Sequence, residues 1–500
     1  MNPETVTIHE IVVLLLIIII NQKFKMKYLK IITLLVFVST NLNAQNKTLL
    51  EKDNTAHNRY AIKNVNIIPM TKDNNVIENA TIVIEDNKIA SINSNVLPKD
   101  VKVIDGTGKW LIPGLIDMHV HTLAEGTPFI MYPTKGPLVS MKTQNIMTPY
   151  IANGVTTIFE LSARPENIGQ RNEIIRGGVI GPRIALAKVI GGKKSNLTAS
   201  NPSDGRNAVR LAKEESYEFI KAYTWLNEET FKAVVDEAQK QNMKVVGHIP
   251  NAFEGKPAQD FFIPHFGLIA HAEELSKQTE DHSFEKAQEF ARLAKENGTW
   301  LIPNLTNMVS IRKQAESLQN VKSLAGFKYV HPLMQSKWLT SNSYHGASDK
   351  LIAYYKKLID FHILIVKAFK EAGVPMVAGT DAGISGIVSG FSLHGELKLL
   401  VEAGLTNNEA LASATRLAAE WLEINDKIGT IEIGKFADIV MLDQNPLDDI
   451  NNTRKISGVF VNGNWIDKNK LDTMLSDVEK WNNANKENYN WKELLNSLKN

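Results

Sequence analysis

From Gly114 onward, short apolar β-branched runs alternate with helix-length segments, and this rhythm repeats eight times. The runs are Gly114–His121, Thr156–Glu160, Arg183–Ala187, Phe219–Tyr223, Lys244–His248, Leu268–His271, Thr299–Leu305 and Val374–Ala382. Helical patterns such as Glu228–Asn242, Phe284–Asn297 and Lys350–Ala372 lie between them. A strand buried on both faces reads as a continuous apolar run, and strands alternating with helices form a parallel sheet. Eight such units predict an α/β chain built as a (β/α)8 TIM barrel. A doubly wound sheet rarely needs eight strands, and no Gly-rich phosphate turn follows the first one.

The flanks read differently. Tyr60–Ile68, Ala80–Glu85, Lys88–Ile92 and Lys102–Ile104 are β-rich runs separated by turn residues such as Asp86-Asn87 and Asp105-Gly106-Thr107-Gly108. Strands return at Thr430–Ile433, Asp438–Leu442, Ile456–Val461 and Asn464–Ile466. The two sets are expected to complete one small antiparallel β-sandwich domain, residues 45–113 and 426–500, with the barrel of residues 114–425 inserted. Lys468–Asn500 is expected to be a helical tail of this domain. Ser310–Ser348 is longer than an ordinary loop. It carries Tyr329, Trp338 and Tyr344, which fits a lid over the barrel mouth.

Composition narrows the chemistry. Lys+Arg number 56 against 54 Asp+Glu, a net charge of +2, so the chain carries no basic excess for nucleic acid. At 43% hydrophobic and 22% charged, it reads as an ordinary globular protein. Cysteine is absent, which excludes disulfides, iron–sulfur clusters, thiol nucleophiles and Cys-ligated zinc. A metal must be held by His, carboxylate or a modified side chain.

In a TIM barrel the active site lies at the C-terminal ends of the strands. Strand one ends Asp117-Met-His119-Val-His121, and alternation puts both histidines on one face. Strand four holds Lys221 between apolar residues, strands five and six end at His248 and His271, and strand eight ends Gly379-Thr380-Asp381. Four histidines, a lysine and an aspartate thus converge on one rim from five strands. Imidazoles and a carboxylate suit a pair of divalent metals, zinc first. A lysine ammonium cannot bind metal, but carboxylated by carbon dioxide Lys221 becomes an anion able to bridge two ions. The pair would share a hydroxide of lowered pKa, with Asp381 accepting the proton as it attacks. Taken singly, a strand-end His is more often packed or capped, and a barrel Lys more often an ion-pair partner. Joint placement on successive strands overrides that reading. His9, His57, His265, His282, His331, His345 and His362 fit no ligand spacing and read as structural.

These residues resemble the amidohydrolase superfamily of metal-dependent hydrolases, especially its imidazolonepropionase-like and prolidase-like branch. The resemblance runs over nearly all of residues 60–466. It is carried by Trp110-Leu-Ile-Pro-Gly-Leu-Ile-Asp-Met-His-Val-His121, Gly181-Pro-Arg183, Phe219-Ile-Lys-Ala-Tyr223, Val245-Val-Gly-His-Ile-Pro250, Ile269-Ala-His271 and Ala378-Gly-Thr-Asp381. Leu393-His-Gly-Glu-Leu397 and Gly429-Thr-Ile-Glu-Ile-Gly-Lys-Phe-Ala-Asp438 are similar to its late motifs. The resemblance implies His119, His121 and Asp381 on the more buried metal. It implies His248 and His271 on the other, and carboxylated Lys221 between them. Members acting through one metal often lack the strand-four lysine, so Lys221 favours two. Asp381, Lys221 and His271 are expected in catalysis, and Tyr223 and His394 resemble positions that face substrate in some relatives.

The function expected is hydrolysis of amide C–N bonds by an exported dipeptidase or carboxypeptidase-like enzyme on small or short-peptide substrates. Hydrolysis of cyclic amides, lactones or esters is the alternative. A barrel that has lost catalysis and serves as a binding protein is the non-enzymatic one, and the complete ligand set speaks against it. A homo-oligomer is left open. At the N-terminus, Ile11–Ile20 is too short to span a membrane. Met26-Lys-Tyr-Leu-Lys, the apolar Ile31–Val38 and a small residue at Ala44 make residues 1–44 an export signal. Residues 1–25 are expected to be an upstream extension, and membrane association to occur only through an uncleaved signal. Protein expressed from Met26 should therefore appear in the periplasm or medium with Gln45 first. N-terminal sequencing that finds Met26 intact on membrane-bound material would favour an anchor.

Overall fold

The computed structural model describes residues 58–499 except residues 95, 123–140 and 193–198. The export signal expected at residues 1–44 lies outside the described residues. Among the described residues no helix is long and apolar enough to cross a membrane.

The chain opens with β1 (Arg59–Ile67), β2 (Ile77–Glu85), β3 (Lys88–Ile92), β4 (Lys102–Asp105) and β5 (Trp110–Pro113). It then enters the barrel through β6 (Leu115–Val120), β7 (Val155–Glu160), β8 (Arg183–Ile190), β9 (Phe219–Ala222), β10 (Lys244–Gly247), β11 (Phe266–Ala270) and β12 (Trp300–Ile302). These seven pair in parallel in chain order, β6 to β12. Every residue of β6, β7 and β9 is buried, which explains why these strands read as unbroken apolar runs.

The expected eighth strand, Val374–Ala382, is not a continuous ladder. Pro375 lacks an N–H, and Asp381 takes a left-handed backbone turn with φ 65°. The segment still hydrogen-bonds to both edges of the sheet. On one side Val377 N donates to Leu301 O; on the other Met118 N donates to Ala378 O and Asp381 N to His119 O. It therefore bridges β12 to β6 and closes a TIM-like barrel. Gly379 allows the approach, since a Cβ there would stand 2.7 Å from Ile302 and 2.9 Å from the His119 nitrogen.

Helices form where caps and apolar spacing agree. Phe284–Asn297 starts at Ser283, whose hydroxyl accepts from Lys286 N, and stops at Gly298 with φ 68°. Its buried Ala287, Phe290, Ala291, Leu293 and Ala294 recur at the helical spacing.

The outer strands depart from expectation. β13 (Ile439–Leu442), β14 (Ile456–Val461) and β15 (Asn464–Asp467) join β1–β5 in one eight-stranded sheet, ordered β15-β14-β13-β5-β1-β2-β3 with β4 beside β1. It is mixed rather than antiparallel, because β1 runs parallel to both β4 and β5. Trp110–Pro113 supplies a strand that the sequence reading did not name. Thr430–Ile433 forms no strand; Ile431 N makes one bond to Pro69 O.

The segment after β12 is helical rather than a loop, with Leu305–Glu316, Leu318–Lys322 and Pro332–Thr340. Val321, Met334, Trp338 and Val388 form its own small core. The tail helices Lys468–Asn485 and Trp491–Lys499 brace it. The Asn482 side-chain amide donates to Lys328 O (2.8 Å) and Val330 O (3.0 Å), and Trp491 N donates to Ser336 Oγ (3.1 Å).

The mixed sheet and barrel form one unit, joined by a buried ion pair. Arg183 Nε, at the base of β8, lies 2.8 Å from Asp438 Oδ2. Asp438 Oδ1 accepts from Asn462 N (2.9 Å), and the Arg183 guanidinium stacks over the Phe436 ring. Removing one partner of a buried pair strands the other charge, which costs about 3–5 kcal/mol. Asp438→Ala should lose that much in urea unfolding, with a smaller loss in Asp438→Ala/Arg183→Leu. A loss under 1 kcal/mol in the single variant would show that the pair does not hold the junction.

Candidate metal centre

The strand ends of the barrel deliver their polar residues to one buried cluster. His119 Nε2 and His121 Nε2 stand 3.1 Å apart. Asp381 Oδ1 is 3.2 Å from the first and 3.0 Å from the second. Among the described residues these three form the group whose ligand atoms all lie within 4.8 Å of one another. Lys221 Nζ lies 3.3 Å from His119 Nε2, and His271 Nε2 is 3.9 Å from Asp381 Oδ2. The His271 ring sits 4.7 Å from His119 and 5.2 Å from His248, centroid to centroid. All six expected residues thus share the cluster, with the His119–His121–Asp381 trio the tightest part.

A shell of buried polar groups orients them. The far nitrogen of His121, Nδ1, lies 3.3 Å from Glu160 Oε1, which turns Nε2 toward Asp381. Glu160 also accepts from Thr122 N (2.6 Å) and Thr122 Oγ1 (3.0 Å). His119 Nδ1 faces Asn304 Oδ1 at 3.4 Å. His248 Nδ1 contacts Thr224 Oγ1 (2.7 Å) and Glu274 Oε1 (3.6 Å). Asp117 accepts from Thr380 N, Thr380 Oγ1 and His119 N, pinning strand one to the turn that presents Asp381. Asn307 Nδ2 donates to Asp381 Oδ2. The sequence reading missed Glu160, Glu274, Asn304 and Asn307. Glu160 was within reach, because it ends the second barrel strand as His121 ends the first.

Charges follow the geometry. Burial pushes the Asp381 carboxyl up, but His119 and the His121 hydrogen bond outweigh it and hold it well below its usual range. Burial also opposes charge on His121, yet its bonds to Asp381 and Glu160 raise the imidazole to about 9. Burial takes His119 and His248 well below 6.5 and His271 to about 4, so these rings are neutral at pH 7. Burial lowers the Lys221 amine to about 8. His271 and Asp381 hold left-handed backbones, φ 81° and 65°.

The set fits divalent metal. His271 Nδ1 is buried without a hydrogen-bond partner. Two imidazole nitrogens 3.1 Å apart beside a carboxylate offer a cation two lone pairs once His121 gives up its proton.

The remaining predicted residues divide. Tyr223 stacks on His248 at 4.7 Å, beside the cluster. His394 does not reach it. Buried on the helix Phe391–Glu402, its Nδ1 lies 2.9 Å from Thr453 Oγ1. Helical phase turns it toward the short helix Ile450–Arg454, so the motif resemblance carried it to the wrong face. His362, read as structural, bonds Ser276 Oγ at 3.0 Å under the same rim.

The amidohydrolase family profile matches residues 110–466 of this chain. Among curated proteins, the 5-methylthioadenosine/S-adenosylhomocysteine deaminase of Bacillus cereus (strain 03BB102) is 23% identical, covering 80% of this chain and 92% of its own. Among solved structures, a Xaa-Pro dipeptidase with bound methionine in its active site superposes with a TM-score of 0.62 at 22% identity. It covers 82% of this chain and 100% of its own. A bottromycin amidohydrolase superposes at 0.65 with 20% identity, covering 87% and 96%.

The raised His121 value sets a pH dependence. In metal-free protein its stabilising contribution is fully present below the unfolded value of 6.5 and lost as pH rises through about 9. A metal needs the neutral ring, so binding must release that proton in this window and tighten with pH by at most about tenfold per unit. Zinc titration calorimetry at pH 7.5, in buffers of different ionisation enthalpy, should register the release. Its absence, with affinity flat from pH 6.5 to 9, would remove His121 from the ligand set.

Proposed function

The chain belongs to the amidohydrolase family, a metal-dependent group acting on C–N bonds of small molecules, and on that premise we propose a two-metal amide hydrolase acting on short peptides or N-acyl amino acids outside the cytoplasm. The observation that carries the reading is Lys221. The residue is 2% exposed, with its amine 3.3 Å from His119 Nε2, on a strand whose other residues are apolar. An ammonium there would be repelled by any bound dication. With its basicity already lowered to about 8, the neutral amine can add to carbon dioxide, releasing a proton and leaving an anionic carbamate.

In this reading His119, His121 and Asp381 would hold one ion and His248 and His271 the other, and carboxylated Lys221 would serve both. Two divalent ions, zinc by donor preference, would supply an ionised water near neutral pH and polarise the amide carbonyl. The chain's own groups do the rest. Asp381 takes the proton of the attacking water and returns it to the departing amine, and Asn307 fixes the carboxylate's second oxygen. The Tyr223 ring lies 4.7 Å from that of His248. A cavity of about 420 Å3 over His248, His271 and Asp381 includes Tyr344, Tyr354 and Tyr355, room for a dipeptide-sized molecule. Hydrolytic deamination, in which water displaces an exocyclic amine from a purine ring as ammonia, is the second reading, favoured by the deaminases among the curated relatives. A panel of dipeptides, N-acyl amino acids and aminopurine nucleosides separates the two.

Zinc-loaded protein should carry close to two ions per chain. Lys221→Ala should lose more than about 100-fold in kcat together with part of the metal, and added acetate or propionate should recover some of both. Full metal content with near-normal turnover in Lys221→Ala would end the two-metal reading.

A further inference from the structure

The helix Leu305–Glu316 begins without a cap of its own. Asn304 stands at the capping position, and asparagine is a strong capping residue. Capping takes an extended backbone, but Asn304 is left-handed, φ 49°, and its side chain caps no N–H of the helix. Nor does the first turn hold an acidic residue to meet the helix dipole. The amide of Asn304 is turned elsewhere, its Oδ1 lying 3.4 Å from His119 Nδ1. Within the first turn, Asn307 Nδ2 donates to Asp381 Oδ2 at 3.2 Å.

A second helix supplies the missing cap. Glu396, on Phe391–Glu402, is fully buried. It accepts from Leu305 N (3.0 Å), Thr306 N (2.7 Å) and Thr306 Oγ1. Leu393, Leu397 and Leu400 are buried at helical spacing beside it. Burial raises its carboxyl to about 7 while those bonds oppose the rise, so the group is costly to keep there. Glu396 belongs to Leu393-His-Gly-Glu-Leu397, a motif from which the sequence reading took only His394. We propose that Glu396 is a positioning residue of the metal centre: by capping the helix from outside, it leaves Asn304 and Asn307 free to orient His119 and Asp381. A cap formed by Asn304 itself would need an extended backbone and would draw its oxygen away from His119. The assignment rests on these residues holding a metal, and not on which C–N bond is cleaved.

Zinc affinity tests it apart from turnover. Metal-free full-length protein is titrated with zinc at pH 8, where the carboxyl is ionised. Glu396→Gln keeps the size of the side chain but replaces one acceptor oxygen by an amide NH2. It should weaken zinc binding about tenfold and lower kcat of the zinc-saturated protein by a similar factor, with KM changed less than about twofold. Ser283→Ala removes an ordinary helix cap elsewhere; it should lower Tm comparably and leave zinc affinity unchanged. In an Asn304→Ala/Asn307→Ala background, Glu396→Gln should weaken zinc binding less than about twofold further, because nothing is left for it to position. Thr306→Val removes one of the three donors and keeps the carboxylate. It should weaken zinc binding about threefold, and it decides the question if Glu396→Gln does not fold. Unchanged zinc affinity in the deciding variant would overturn the assignment. So would an equal loss in Ser283→Ala, or an undiminished loss in the double-alanine background, since either would make Glu396 a stabiliser of the helix alone. If the zinc result holds while no amide is cleaved, the positioning role stands and the hydrolase reading falls; the reverse result spares the hydrolase reading alone.

Discussion

Asp381 is the carboxylate on which the barrel rim depends. It faces His119, His121 and His271 inside a space that water barely enters. Buried charge is costly unless paired, and the pairing runs both ways. The carboxylate keeps His121 protonated in the absence of metal, while burial leaves the other rings neutral. Cationic and neutral imidazoles around one anion make a cluster held together by a proton, and a divalent cation is the natural replacement for it. Lys221 completes the balance, since its amine approaches His119 at a lowered basicity rather than as a firm cation.

That arrangement requires the chain to present Asp381 from a segment that is only partly a strand. Val374–Ala382 closes the barrel by isolated bonds to β12 and β6, and the missing Cβ of Gly379 lets it lie against His119. Asp117 then ties Thr380 to strand one through its two oxygens. The carboxyl of Asp117 pays a burial penalty, its pKa rising to about 7, to hold that register. A regular eighth strand would have kept Asp381 in an extended conformation and pointed its oxygens elsewhere.

Much of this was legible in the residues. Unbroken apolar runs gave the parallel strands, and the rule that barrel chemistry sits at strand ends brought His119, His121, Lys221, His248, His271 and Asp381 onto one rim before any coordinates. What escaped has physical causes. His394 lies on a helix, where the face depends on phase rather than alternation, and the phase aims it at Thr453. β1 pairs in parallel with β4 and β5 because connections loop around it, and local alternation carries no information on strand direction. Glu274 acts through His248, distant in sequence, so spacing could not reveal it, whereas Glu160 stood in view at the end of the second barrel strand. The rim segment looked like a loop because its core of Val321, Met334, Trp338 and Val388 is assembled from separate helices and a distant turn.

Backbone strain marks the same place. His271 and Asp381 hold φ of 81° and 65°, and Asn304, which faces His119, holds 49°. Asparagine tolerates the left-handed region; histidine does so less readily, and each such residue costs of order 1–3 kcal/mol. Such conformations persist only where neighbours over-determine them. Here the neighbours are identifiable: His271 N donates to Ile302 O, Asp381 N to His119 O, and Asn307 grips the Asp381 carboxylate. The strained peptides sit between the barrel wall and the cluster, turning side chains inward that an extended strand end would send along the barrel axis. Relaxing Asp381 would separate its oxygen from the nitrogens of His119 and His121. The strain is therefore the means by which a rigid barrel brings the carboxylate of Asp381 to within 3.0 Å of the protonated His121 ring.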